Sequence, residues 1–257
     1  MTEVSARPPA GASFERPPIG PRIHPGMDVR IGPVCYHSGP MGKIGFIFDL
    51  DNTLVASDPA WTHAETAAHR ALGSEFDPQI AREYKGLSAA EVAAIIHRSR
   101  NSPAPLDEIR ILLRSELIHA MRHFQLDPIP GALELVHRLQ AMGPMAVASG
   151  SPLEAIDAVL QRLGIRECFR ALRSSADVAA GKPAPDVFLA AREALDLPSS
   201  CCVIFEDSPT GVAAARAAGI ACIVRPSVPF PDDTGGNHVT VSGWNKVSRE
   251  QLTSLVG

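Results

Sequence analysis

From Pro128 to about Arg225, short apolar runs alternate with segments of helical periodicity. MAVAS, CCVIF and ACIV are such runs, and between them lie stretches of ten to fifteen residues whose apolar positions recur every three or four residues. Short buried strands alternating with helices are typical of a doubly wound α/β fold, in which helices cover both faces of a parallel sheet. The apolar run KIGFIFDL at residues 43–50 adds a first strand. We therefore predict an α/β protein with a doubly wound parallel sheet.

A helical insert separates the first strand from the rest of this pattern. PAWTHAETAAHRALG, SAAEVAAIIHRSR and LDEIRILLRSELIHAMRHF all have apolar residues at helical spacing, and no strand pattern interrupts them. Ser88 followed by Glu91 is the signature of a capping box at a helix start. We predict an all-helical cap at 58–130, inserted into a core formed by 43–57 and 131–257.

The N-terminal segment has a different composition. Residues 1–42 are rich in proline and glycine and lack apolar periodicity, so they bury too little surface to offset the entropy of ordering. We predict a disordered tail there. Met41, just before the first predicted strand, is a candidate for the true start of the protein, and residues 1–40, if translated, should be dispensable.

Composition limits the classes of partner. The chain has 257 residues, 45% of them hydrophobic, which suffices for a core without disulfides or structural metals. A net charge of −4 and a pI near 6.1 give no basic surface for nucleic acid or acidic membranes. No apolar run approaches a membrane span, and the five cysteines show no CxxC pair, zinc spacing or disulfide framework. We expect a monomeric, cytoplasmic protein with a small-molecule partner.

Two acidic pairs follow predicted strands. Asp49 and Asp51 leave the first strand two residues apart, which directs both side chains to one side of the chain. Glu206 and Asp207 follow CCVIF directly. Close carboxylates at the end of an apolar strand are costly unless a cation or hydrogen bonds meet them. A role in capping the next helix would explain one of Glu206 and Asp207 but not both. The four carboxylates therefore predict a Mg²⁺ site, because Mg²⁺ prefers oxygen ligands.

Two further motifs suit a phosphate group. Ser149, Gly150 and Ser151 follow the run MAVAS at a helix start, where a hydroxyl and free backbone N–H groups favour an anion. The alternative interpretation makes Ser151 the N-cap of that helix. Lys182, one of four lysines, lies in the stiff segment GKPAP, which predicts a positive charge held at a fixed place. A lysine facing solvent is the alternative.

Together these motifs resemble those of a known superfamily. FDLDNTL, SGS, GKPAPDVF and FEDSPTG, in this order and each at a strand end, resemble the four motifs of the haloacid dehalogenase superfamily over about residues 43–226. GKPAPDVF, EDSPTG and the position of the helical insert resemble the branch that contains β-phosphoglucomutase and small sugar-phosphate phosphatases. The resemblance implies a Rossmann-like core with a helical cap and a Mg²⁺-dependent phosphatase acting on a small phosphorylated metabolite, with a sugar phosphate expected.

The resemblance also implies residue roles. It makes Asp49 the nucleophile that forms an aspartyl phosphate, and Asp51 the general acid and base. It makes Ser149 and Lys182 phosphoryl ligands that take part in catalysis. The residues expected to bind substrate are Ser149, Gly150, Lys182 and the cap residue Trp61, and those expected to bind Mg²⁺ are Asp49, Asp51, Glu206 and Asp207.

Three alternatives remain open. A β-phosphoglucomutase-like enzyme shares the motifs, but the mutase pattern has a histidine where this chain has Trp61 and an arginine where it has Ala89, which favours hydrolysis. A hydrolytic dehalogenase would need neither Asp51 nor Asp207. A non-catalytic binding protein would be expected to lack a catalytic residue, and none is missing. Asn52 replaces the usual glycine of the first motif, and asparagine tolerates a positive φ well.

Overall fold

The computed structural model describes residues 44–81, 85–99, 104–228 and 238–256, so the predicted tail at 1–42 lies outside the described residues. The described strands are β1 Gly45–Phe48, β2 Met145–Ser149, β3 Ala171–Ser174, β4 Cys202–Glu206, β5 Ala221–Val224 and β6 His238–Thr240. The described α-helices are α1 Asp58–Ala71, α2 Pro78–Ala81, α3 Ala89–Ser99, α4 Leu106–His123, α5 Ala132–Gln140, α6 Leu153–Arg162, α7 Asp186–Leu195, α8 Pro209–Ala217 and α9 Arg249–Leu255.

The six strands form one sheet in the order β3-β2-β1-β4-β5-β6, and every pair is parallel. The chain winds outward from β1 to β3 and then returns to β4 on the other side of β1. Ligands of open α/β sheets bind at such a switch point, beyond the carboxyl ends of the strands. The predicted doubly wound parallel sheet is confirmed, although β6 and α9 were not predicted.

Buried side chains alternate between the two faces of the sheet. Phe48 and Phe205 stack on one face with ring centroids 4.5 Å apart, within a core that includes residues of α5, α6 and α1. Ile47 and Ile204 face the other side and pack against α7 and α8. Both faces are therefore apolar and covered, and the polar residues of the motifs are left at the strand ends.

The segment between β1 and α5 is helical, as predicted. α1 and α3 both pack on α4, and no strand occurs among the described residues of this segment. The predicted capping box is present, since the Glu91 amide donates to Ser88 Oγ at 3.2 Å and the Ser88 amide donates to Glu91 Oε2 at 2.8 Å. The cap boundaries at 58 and 130 remain a prediction. Within the described residues, no helix combines the length and apolar character needed to cross a membrane.

Candidate active site

Lys182 forms the centre of a buried charge cluster. Its side chain is fully buried, and Nζ donates hydrogen bonds to Asp49 Oδ1 and to Glu206 Oε1, both at 2.6 Å. Asp49 follows β1 and Glu206 ends β4, so the lysine joins the ends of two neighbouring strands. The alternative of a lysine facing solvent is therefore wrong.

Three buried carboxylates lie close enough to share a cation. Asp49, Glu206 and Asp207 each offer an oxygen within 4.8 Å of the others. Asp49 Oδ2 is buried without a hydrogen-bond partner, whereas Glu206 Oε2 accepts from the amides of Asp207 and Ser208 at 2.7 and 2.8 Å. A donor set made of carboxylate oxygens alone fits Mg²⁺.

The electrostatics of this cluster also favour a cation. Burial raises the pKa of Asp49 to about 8, which Lys182 partly counters while Glu206 adds to the increase. Burial and the neighbouring carboxylates also raise the pKa of Asp207 well above its usual range. Burial alone would lower the pKa of Lys182, but Asp49 and Glu206 outweigh that effect and raise it. The single positive charge of Lys182 cannot offset the negative charge of three carboxylates, and a divalent cation would offset the remainder.

Asp51 lies outside this carboxylate cluster. Its Oδ2 accepts hydrogen bonds from Ser149 Oγ at 2.8 Å and from Ser151 Oγ at 2.9 Å. Its Oδ1 accepts a hydrogen bond from Trp61 Nε1 at 2.9 Å. The structure therefore brings Asp51, Ser149 and Trp61 together. Asp51 is not one of the three acids whose oxygens lie within 4.8 Å of one another, but its charge is close enough to raise the pKa of Asp49.

Ser151 is a site residue that the motifs alone did not assign. The N-cap of α6 is Pro152, and no side chain caps this helix. The interpretation of Ser151 as an N-cap is therefore wrong, because its hydroxyl binds Asp51 instead. The spacing of two residues from Ser149 was the available signal, since it directs both hydroxyls to the same side of an extended chain.

Two turns hold the acidic residues in place. Asn52 has φ of +56°, so the expected positive φ at this position is confirmed. At the end of β4, Ser208 caps α8, with its Oγ accepting a hydrogen bond from the Gly211 amide at 3.1 Å. Because Ser208 provides the cap, Asp207 remains available at the site, where Thr53 Oγ1 donates to its Oδ1 at 3.4 Å.

A cavity of about 800 Å³ opens above these residues. Its floor includes Asp49, Asp51, Gly150 and Asp207, and its walls from the helical segment include Trp61, Glu65, Phe76 and Lys85. This volume lies within the usual range for sites that hold small metabolites. At its edge, a Cβ added to Gly150 would approach the Leu87 carbonyl oxygen to 2.6 Å, so this glycine allows the two backbones to meet.

Comparison with known families agrees with this site. The family model of haloacid dehalogenase-like hydrolases matches residues 45–219. The chain belongs to the haloacid dehalogenase-like hydrolase family. That match runs from β1 past α8, and it includes all four motifs at the strand ends. The predicted superfamily is confirmed.

Relatives of this hydrolase include named phosphatases. It is 32% identical to the fructose-1-phosphate phosphatase of Escherichia coli over 70% of this chain and 94% of that protein. It is also 32% identical to the validoxylamine A 7'-phosphate phosphatase of Streptomyces hygroscopicus, over 69% of this chain and 83% of that protein. CbbY from Rhodobacter sphaeroides, solved in complex with phosphate, matches at a TM-score of 0.74 with 25% identity, covering 82% and 99% of the two chains. The predicted class, a phosphoric monoester hydrolase, is confirmed.

Proposed function

We propose that this protein is a Mg²⁺-dependent phosphatase that hydrolyses a sugar phosphate through an aspartyl-phosphate intermediate. The observation that carries the proposal is the state of Asp49. Lys182 holds one carboxylate oxygen of this residue, while the other is buried, has no hydrogen-bond partner and belongs to a residue that lines the cavity. A carboxylate that Lys182 holds in place, and whose second oxygen has no hydrogen-bond partner, is suited to attack phosphorus.

In the first step, Asp49 Oδ2 forms a bond to phosphorus while the bond to the leaving alkoxide breaks. Asp51 donates a proton to that alkoxide, which departs as an alcohol. Lys182 offsets negative charge at the nucleophile, and the Gly150 segment, which lines the cavity, is proposed to hold the phosphoryl oxygens. The Ser149 hydroxyl donates its one proton to Asp51, so its proposed contact with a phosphoryl oxygen requires that hydrogen bond to be exchanged. In the second step, Asp51 takes a proton from water, the water oxygen bonds to phosphorus, and the bond to Asp49 breaks to release phosphate.

Asp49, Glu206 and Asp207 are the residues whose geometry suits Mg²⁺. When bound, the ion neutralises the negative oxygens of the phosphoryl group. The Asp51 side chain was also expected among the ligands, but its carboxylate is engaged by Ser149, Ser151 and Trp61.

The proposed substrate class rests on the relatives and on the cavity. The names of two relatives state activity on fructose 1-phosphate and validoxylamine A 7'-phosphate. A cavity of about 800 Å³ offers room for a molecule of sugar size. Segment 58–130 is proposed to act as the cap that closes over it and excludes water. We further propose a monomer that works in the cytoplasm on small phosphorylated metabolites.

The test measures phosphate release from p-nitrophenyl phosphate and from a panel of sugar phosphates, with Mg²⁺ and with excess EDTA. Activity is expected only with Mg²⁺. Asp49→Asn should fold normally but lose activity by several orders of magnitude, since an amide is not a nucleophile. Asp107→Asn, at an exposed position on α4, is the matched control and should retain activity. Full activity in EDTA, or near-normal turnover by Asp49→Asn, would reject the mechanism.

A further inference from the structure

We propose that Trp61 is a positioning residue for Asp51. Its indole N–H fixes the carboxylate so that Oδ1 faces the reacting oxygen and transfers the proton. This inference rests on the proposed function, because it assumes that Asp51 is the general acid and base. Trp61 was expected to bind the substrate, whereas its polar atom binds the enzyme's own carboxylate.

The hydrogen bonds distinguish the two oxygens of Asp51. Oδ2 accepts from both Ser149 and Ser151, which uses the two lone-pair directions of a carboxylate oxygen. Oδ1 accepts from Trp61 and keeps one direction free. The lone pair left free for proton transfer therefore belongs to Oδ1, and the hydrogen bond from Trp61 sets its direction. Without the indole, only the two serine hydrogen bonds to Oδ2 would hold the carboxylate.

The indole is itself held firmly against the loop that carries Asp51. Trp61 lies in the first turn of α1, where its amide donates to the Ser57 carbonyl at 3.1 Å. In the same turn, Asp58 Oδ1 accepts from Asn52 Nδ2 at 2.8 Å and from Lys85 Nζ at 3.0 Å. These contacts tie the start of α1 to the residue directly after Asp51. The donor therefore approaches Asp51 from a fixed direction.

The chemistry of the indole suits this task. A tryptophan N–H donates but cannot accept, and it does not ionise near neutral pH. It therefore orients a carboxylate without competing for the proton that Asp51 gives and takes. A histidine at the same place would exchange protons itself.

A direct readout uses the two tryptophans of the chain, Trp61 and Trp244. The indole N–H signals are recorded by ¹H–¹⁵N NMR and assigned with Trp61→Phe. In Asp51→Asn, the Trp61 signal is expected to shift because its acceptor loses its charge. The Trp244 signal should stay, since that indole donates to the Thr53 carbonyl at 2.8 Å. A Trp61 signal that does not move in Asp51→Asn would overturn the proposal.

The kinetic readout compares two substrates of nearly equal shape. Phenyl phosphate has a basic leaving group that needs a proton, whereas p-nitrophenyl phosphate has a leaving group that departs without one. Trp61→Phe should lower kcat/KM for phenyl phosphate about tenfold, because misplacing Asp51 removes part of the rate gain from general acid catalysis. For p-nitrophenyl phosphate, kcat/KM should fall by less than about threefold. Trp244→Phe is the control, because it makes the same chemical change at a position whose indole donates to Thr53 rather than to Asp51. It should leave the ratio of kcat/KM for the two substrates unchanged.

The outcomes separate this inference from the proposed function. If Asp51→Asn shows no selective loss on phenyl phosphate, the assignment of Asp51 as general acid fails. If Asp51→Asn is selective but Trp61→Phe lowers both values equally, Trp61 contacts substrate or packs the cavity, and the inference fails. In the Asp51→Asn background, Trp61→Phe should not reduce the first-turnover burst of p-nitrophenolate further. A further loss there would also count against it.

Discussion

At the scale of single residues, the three carboxylates around Lys182 carry more charge than one lysine can offset. We therefore expect Asp207→Asn to stabilise the protein without Mg²⁺ and to reduce the stabilisation that Mg²⁺ gives. Burial raises the pKa of Asp207, and the neighbouring Glu206 and Asp49 add to the increase. Without a cation, this carboxyl group must take up a proton or remain charged at a high cost when the protein folds, so Asp207→Asn should raise the melting temperature in EDTA. With Mg²⁺, it removes a ligand and should both shrink the increase in melting temperature and raise the Mg²⁺ concentration needed for activity. Thermal melts and Mg²⁺ titrations of both proteins test this. An unchanged titration would remove Asp207 from the metal site.

Glu65, on the helical wall of the cavity, gives a prediction for stability against pH. Burial and the nearby Asp58 raise its pKa to about 8, which Lys85 partly counters. Between about pH 4.5 and 8 the folded protein therefore holds a proton that the unfolded chain has lost, so stability falls as pH rises. Relative to Glu65→Gln, the wild type should lose an additional 1–4 kcal/mol (roughly) of unfolding free energy from pH 5 to pH 8.5.

Urea unfolding at both pH values provides the measurement for Glu65. Glu108→Gln, an exposed position on α4, is the control and should keep the wild-type pH dependence. Equal pH dependence of the wild type and Glu65→Gln would mean that Glu65 is ionised in the folded protein at neutral pH.

At the scale of elements, the turn at residues 85–88, directly before α3, contacts the core. Gly86 in this turn has φ of +84°, and a Cβ there would overlap Thr210 Oγ1 at the start of α8. The same Thr210 hydroxyl donates to the Lys85 carbonyl at 2.9 Å. Gly86→Ala is therefore expected to push the turn away from α8 and to lower kcat/KM for the best sugar phosphate by about tenfold, since misplaced contacts cost catalysis heavily.

Gly73→Ala separates this effect from backbone strain. Gly73 also has a positive φ, of +66°, but an added Cβ there meets nothing within 4 Å. Both variants should lose about 1 kcal/mol of stability from the left-handed conformation. Only Gly86→Ala should lose activity. Similar activity of the two variants would show that docking of the turn on α8 is dispensable.

The elements that the sequence predicted differ physically from those it did not. Strands β1, β2, β4 and β5 are buried apolar runs, and their pattern identifies them directly. β6 has three half-buried or exposed residues at the sheet edge, so its pairing with β5 depends on tertiary contacts. α9 had an overlooked local signal, because Ser248 and Gln251 form a capping box.

The same contrast applies to the site. Asp49 and Glu206 were predictable because charged residues at strand ends meet at one edge of a parallel sheet. Lys182 lies in the loop between β3 and α7, and the stiff segment GKPAP was the signal for it. The contact between Trp61 and Asp51 was not, since it depends on how the first turn of α1 sits against the loop after β1. Motifs therefore predict which residues gather, and packing decides which atoms meet.

At the scale of the whole molecule, the cavity lies between the strand ends and the helical segment, and its charge bears on the reaction type. Among the described residues that line it, Lys85 is the one lysine or arginine. Lys85 is already paired with Asp58 at 3.0 Å. The mutase pattern has an arginine where Ala89 stands, and Ala89 is a buried residue that begins α3. The cap side of the cavity therefore offers no free cation among these residues for a second phosphate.

A mutase must hold a sugar bisphosphate with both phosphates bound, whereas Lys182 and the proposed Mg²⁺ would compensate the charge of one phosphate. Incubation with β-glucose 1-phosphate and Mg²⁺ should therefore release inorganic phosphate or give no reaction. Addition of glucose 1,6-bisphosphate as a primer should not produce glucose 6-phosphate. A coupled glucose-6-phosphate dehydrogenase assay and a phosphate assay, run on the same samples, distinguish these products. Primed formation of glucose 6-phosphate faster than phosphate release would mean that the Lys85 side of the cavity accepts a second phosphate, and the enzyme would be a mutase.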